Sequence, residues 1–176
     1  MDQQILKKVY NKHIQSLFDY GIKLSGNKDL VIDEIHDLFL YIFEKRLDPN
    51  EIRNLKAYLI TSLRRRIIKR LGIQRSMSPE TEIPYDFNLD FSVESKIIEG
   101  ELTAEMKNIL DNAIHNLTAR QKEIIHLKYF ENFSNDEIQE AMNLTDQATR
   151  NLLSKTLRKL RESFPDTRIL TLLLLS

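Results

Sequence analysis

Cysteine is missing altogether, which excludes disulfides and thiolate-held metals and leaves the redox compartment open. Glycine and proline are scarce, four of each in 176 residues, while 30% of the chain is charged. So few turn-formers among so many helix-compatible residues predict an all-α protein. No Gly-rich phosphate loop and no nucleophile motif occurs, so no catalytic residue is expected. No apolar run approaches the length needed to cross a bilayer. The opening MDQQILKKVYNKH lacks the apolar core of a signal peptide. The expectation is a soluble, cytoplasmic, non-enzymatic protein without membrane insertion.

What is present is enough to build a core: 41% of residues are hydrophobic. The net charge of zero hides strong blocks. Residues 52–79 hold eight Lys and Arg and no acid, whereas 80–105 hold eight acids and one lysine. Residues 29–51 are acidic and 150–161 basic again. Alternating blocks suit a chain that meets nucleic acid in two places and a basic protein surface elsewhere.

Helical periodicity divides the chain. A first helix is predicted over about 3–24 and a second over about 29–45, the latter with Ile35, Leu38, Phe39, Ile42 and Phe43 on one face. Asp48, Pro49 and Glu51 have the pattern of a capped start, which predicts a third helix from there to about Leu71. Its outer side carries Tyr58, Thr61, Arg65 and Lys69, with Arg64 at the border. Residues 73–91 read as an acidic linker. They form either a flexible tether or a segment held in place by Tyr85 and Phe87. A helix from Ser92 to about His115 then opens a second domain over 92–164, after a first over 1–72.

The stretch 117–162 is the most informative: LTARQKEIIHLKYFENFSNDEIQEAMNLTDQATRNLLSKTLRKLRE. Thr118 with Gln121, and Ser134 with Glu137, have capping-box spacing. Asn143 stands where a left-handed residue would end a helix, and Thr145 where the next would be capped. Two helices with a tight turn between them make a helix-turn-helix. On the last helix, Thr149, Leu152, Leu153, Thr156, Leu157 and Leu160 fall inward. Gln147, Arg150, Asn151, Ser154, Arg158 and Arg161 fall outward. Arg pairs with guanine and Asn or Gln with adenine, whereas Ser, Lys and Arg hold phosphates. Gln147, Arg150, Asn151, Ser154, Lys155 and Arg158 are therefore the expected DNA-binding residues of this helix. An ordinary bundle helix also carries a solvated charged face; the two boxes, the turn and the division of faces favour DNA recognition.

This stretch resembles region 4 of the bacterial RNA polymerase sigma factors, specifically the extracytoplasmic-function (ECF) group. Leu117, Arg120, Glu123, Phe130, Ser134, Glu137, Ile138, Leu153, Leu160 and Arg161 match that pattern in place, with Thr118 for the usual proline, Asn143 for the usual glycine and His126 at a usually apolar position. LVIDEIHDLFLYIFEKR is similar to the Asp-Leu-Val-Gln-Glu-Val-Phe-Leu signature of sigma region 2, and KAYLITSLRRRIIKRL to the segment that follows it. The resemblance implies an alternative sigma factor of two small helical domains on a flexible acidic linker. Its implied partners are core RNA polymerase, promoter DNA and an inhibitory anti-sigma factor, with no cofactor. It further implies that Asp33, His36, Asp37 and Leu40 meet the polymerase. Arg64, Arg65 and Lys69 would hold phosphates during strand opening, beside Thr61, while Tyr58 stacks on an unpaired base.

Two rival readings compete with this one. A metal enzyme is suggested by Asp33-x-x-His36 and Glu123-x-x-His126, but the two copies fall in different domains, so no metal site is expected. A stand-alone helix-turn-helix regulator would need a ligand or phosphoacceptor domain, and the first ninety residues show no signature of one. After Phe164 the chain ends in an apolar tail, 165–176, rich in leucine. Three readings compete for it: a poorly ordered end, a segment folded back on the second domain, and a grip for another chain. Burying a leucine is worth about 1.5–3 kcal/mol, which favours folding back, over the surface an anti-sigma partner would use.

Overall fold

In the computed structural model, residues 3–72, 85–89 and 104–163 are described. The tail, most of the linker and the start of the helix expected from Ser92 lie outside them. All regular structure among these residues is helical: α1 (Gln3–Ser25), α2 (Lys28–Glu44), α3 (Leu55–Arg70), α4 (Ala104–His115), α5 (Ala119–Ile125), α6 (Asn135–Met142) and α7 (Asp146–Ser163). The chain divides into two units, the first reaching Asn88 and the second built on the C-terminal helices.

In the first unit, α1, α2 and α3 pack against one another. Leu17, Tyr20 and Leu24 of α1 meet Val31, Ile35, Leu38 and Ile42 of α2 and Leu59, Ile60, Leu63 and Ile67 of α3 in the core; each is at most 2% exposed. Asn27 starts α2 by accepting from Leu30 N–H at 3.1 Å, and Gly26 turns the chain with φ 65°. The helix expected from Asp48 is two pieces. Asp48 caps only a 3₁₀ turn (Pro49–Glu51), and Asn54 begins α3 proper by accepting from Ala57 N–H at 3.2 Å. The sequence holds two good caps six residues apart, and the second opens the longer helix.

The first unit also reaches beyond the boundary expected at residue 72. Phe87 is fully buried, with its ring 5.9 Å from that of Tyr20, and Asn88 N–H donates to the carbonyl of Lys23 at 2.8 Å. That carbonyl lies in the last turn of α1, where a helix has no internal donor left to offer it.

In the second unit, α7 packs on α4 and α5. Both capping boxes form. Gln121 N–H donates to Thr118 Oγ1 at 3.3 Å and Thr118 N–H to Gln121 Oε1 at 3.0 Å. Glu137 N–H donates to Ser134 Oγ at 3.2 Å and Ser134 N–H to Glu137 Oε2 at 2.8 Å. α5 runs into a widened π turn (His126–Phe130), over which the His126 ring stacks on Phe130 at 5.4 Å.

Candidate nucleic-acid interface

The turn between α6 and α7 has the predicted chemistry. Asn143 adopts φ 54°, the left-handed conformation that ends a helix, and Thr145 Oγ1 accepts from Ala148 N–H at 3.2 Å. The Gln139 amide donates to Asp146 Oδ1 at 3.4 Å, tying the two helices at their junction.

From that anchor α7 presents two unlike faces. Thr149, Thr156 and Leu160 are buried with Leu153, and the two threonine hydroxyls bond back to the carbonyls of Thr145 and Leu152 at 3.0 and 2.7 Å. Gln147, Arg150, Asn151, Ser154, Lys155 and Arg158 are all exposed, on the opposite side. Several of these already have partners on the same helix at i,i+4 spacing. Arg150 bonds Asp146, the Gln147 amide donates to Asn151 Oδ1 at 3.0 Å, and Arg158 lies 3.9 Å from Glu162. Such exposed pairs are worth only about 0.2–0.5 kcal/mol, so base edges and phosphates can replace them cheaply. Burial raises the pKa of the Tyr129 phenol above its usual 10, against the opposing pull of the Arg161 guanidinium. Arg120 and Glu123, which open the region 4 motif, are 6% and 0% exposed, so they build the domain and do not face a partner.

The outer side of α3 differs from its expected composition. Arg65 and Lys69 are exposed and Tyr58 is half-buried, but Thr61 and Arg64 are buried at 4% and 6% exposure. Spaced at one helical turn, Ala57, Thr61 and Arg64 form one covered stripe. The Arg64 guanidinium donates to the hydroxyl of Tyr85 at 3.4 Å. Arg64, at the border of the helical face, is decided by what meets it there, and here that is Tyr85.

Two further arginines went unassigned in the sequence reading. Arg66 lies over the Tyr41 ring at 5.6 Å, and Arg66 and Arg70 approach the buried Glu34 carboxylate at 3.9 and 3.6 Å. Glu34 inside a hydrophobic run, with Arg66 and Arg70 one turn apart, was the available signal.

On α2, Asp33, His36, Asp37 and Leu40 are all exposed and share one helical face. Leu40 is 57% exposed and Phe43 40%, and with Leu6, His36 and Phe39 they line an open apolar groove of about 500 Å³. Leu6 and Phe43 were not anticipated as part of this surface. Among the described residues no three His, Asp or Glu side chains gather as metal ligands, and no helix is long and apolar enough to cross a membrane.

Residues 107–160 match the family model of sigma-70 region 4. The fold is similar to that of the sigma factor RpoE in its co-crystal structure with the anti-sigma factor NepR from Bartonella quintana. The TM-score is 0.57 at 18% sequence identity, over 92% of this chain and 98% of that one. No curated protein matches the sequence. The region 4 match supports a sigma-factor role and agrees with the resemblance in residues 117–162, and the structural likeness shows the fold.

Proposed function

We propose that the chain is an alternative sigma factor of the ECF group, which binds core RNA polymerase, selects a subset of promoters and helps open the DNA. The observation that carries this reading is the exposed face of α7, set on a capped helix-turn-helix within the segment that matches sigma-70 region 4. Arg150 and Asn151, beside Gln147, read base edges of the upstream promoter element, while Ser154, Lys155 and Arg158 hold its backbone. On α3, Arg65 and Lys69 hold phosphates of the downstream element and Tyr58 stacks on an unpaired base, a contact worth about 1–3 kcal/mol. Thr61 and Arg64 join them only once uncovered.

The polymerase surface is the face of α2. Asp33 and Asp37 supply negative charge beside the exposed Leu40 and Phe43, an apolar centre with a charged rim of the kind that anchors protein interfaces. The polymerase supplies the catalysis, in the cytoplasm, and this chain none. Because the structurally similar RpoE was captured with an anti-sigma factor, an inhibitory partner of that class is proposed here too.

Run-off transcription with purified core polymerase and genomic fragments tests the reading. The expected result is a set of transcripts that require both proteins. Absence of any such transcript, with DNA bound in the absence of polymerase, would identify a stand-alone helix-turn-helix regulator instead.

A further inference from the structure

Residues 85–88 cross the first unit as a strap with no helix or strand of their own. The contacts that hold it include three on the helices of this unit. Phe87 is fully buried beside Tyr20, Asn88 N–H bonds the end of α1, and the Tyr85 hydroxyl accepts from Arg64. The strap lies in the acidic block of the sequence and exposes Asp86, while the helix it covers lies in the basic block.

The chemistry of this strap is that of a nucleic-acid strand. Rings alternate with polar or acidic residues along Tyr85, Asp86, Phe87 and Asn88, as bases alternate with phosphates. Single strands are held by proteins through cationic side chains and aromatic stacking. A segment that sets a ring and its hydroxyl acceptor against an arginine of a basic helix, with a carboxylate next in sequence, presents the same kinds of partner. Its effect is also specific: it covers Arg64, a cation on the helix proposed to hold the opened strand, and leaves Arg65 and Lys69 in solvent.

We infer that the strap is an intrachain competitor of single-stranded DNA, a latch that occupies part of the α3 surface until it is displaced. The inference rests on the reading of α3 as a nucleic-acid face. With the strap in place, Arg64 is closed to phosphate; with it released, Arg64 joins Arg65 and Lys69 along one wider cationic surface. Charge on the strap and charge on the DNA compete for the same helix, so latch and ligand exclude each other.

The absence of cysteine allows a direct test in the full-length chain. Lys23→Cys with Asn88→Cys places two thiols on the residues joined by the backbone hydrogen bond between strap and α1. Neither residue belongs to the proposed DNA surface. A fluorescein-labelled single DNA strand of about 20 nucleotides, at low salt, is the probe. The oxidised protein should bind it at least tenfold more weakly than the same protein after reduction, and should initiate poorly even on a pre-melted bubble. Phe87→Ser and Asn88→Pro, checked for helical circular dichroism, should each bind the strand more tightly than the parent chain. Equal binding by oxidised and reduced forms overturns the latch while leaving the reading of α3 intact. If the bridge does not form, unchanged affinity in both loosened variants overturns it. A parent chain and loosened variants that all ignore the strand overturn the α3 reading and the latch with it.

Discussion

A Cβ built on Gly21 would lie 2.6 Å from Cγ1 and 3.0 Å from Cγ2 of Val31, so α1 and α2 approach as closely as they do because residue 21 has no side chain. Val31 is fully buried and has no room to yield. Gly21→Ala gains about 1 kcal/mol of helix propensity but meets an overpacking cost of about 1–3 kcal/mol. The variant should melt at a lower temperature than the parent, and adding Val31→Ala, which vacates the contact, should cost less in its presence than alone. Additive losses in a double-mutant cycle would show that the two positions do not share this contact.

His13 ties stability to pH. Burial foremost, then the charges of Lys12 and Lys56, hold its imidazole below the ordinary 6.5. The folded state therefore resists a proton that the unfolded chain accepts. Stability from this residue is whole above 6.5 and falls as pH drops from there through the folded pKa. His13→Gln should flatten that part of the curve. The check is the urea midpoint of both proteins from about pH 8 to about pH 5, where their difference should change sharply only in the acid half.

On α7, Arg150 and Arg158 should fail in different ways. Arg150→Ala should cost about 1–3 kcal/mol on the preferred upstream element and relax preference at one or two base pairs. Arg158→Ala should weaken every sequence alike and lower the salt slope by about one. Binding isotherms on a panel of single-base variants at several salt concentrations distinguish the two. The same uniform loss from both would mean that the helix does not read sequence directly.

The α2 surface should be separable from folding. Asp37 and Leu40 are exposed, so Asp37→Arg and Leu40→Glu should leave the helical circular dichroism and the melting temperature near those of the parent. Both should abolish co-purification with core polymerase, the first by reversing charge and the second by placing a carboxylate in the apolar groove. Undiminished capture by either variant removes that residue from the interface.

Much of the architecture was legible from local chemistry. The capping boxes at Thr118 and Ser134, the left-handed Asn143 and the cap at Thr145 each depend on residues within four positions of one another, and all are found in place. Helical period alone divided α7 into a buried side and an exposed one, because a long helix with one partner surface has only one way to satisfy its leucines. The break before α3 was missed because Asp48 and Asn54 are both competent caps, and caps are judged by the helix that follows them.

Three features were decided by tertiary structure. Gly21 matters only because Val31 is opposite it, ten residues along the chain on another helix. Glu34 is buried only because Arg66 and Arg70 arrive from α3 to meet its charge. Arg64 lies on a helical border where period predicts neither exposure nor burial, and the returning strap met it through the Tyr85 hydroxyl. In each case the deciding partner comes from a separate element, and no pattern within one helix encodes which surface another segment will cover.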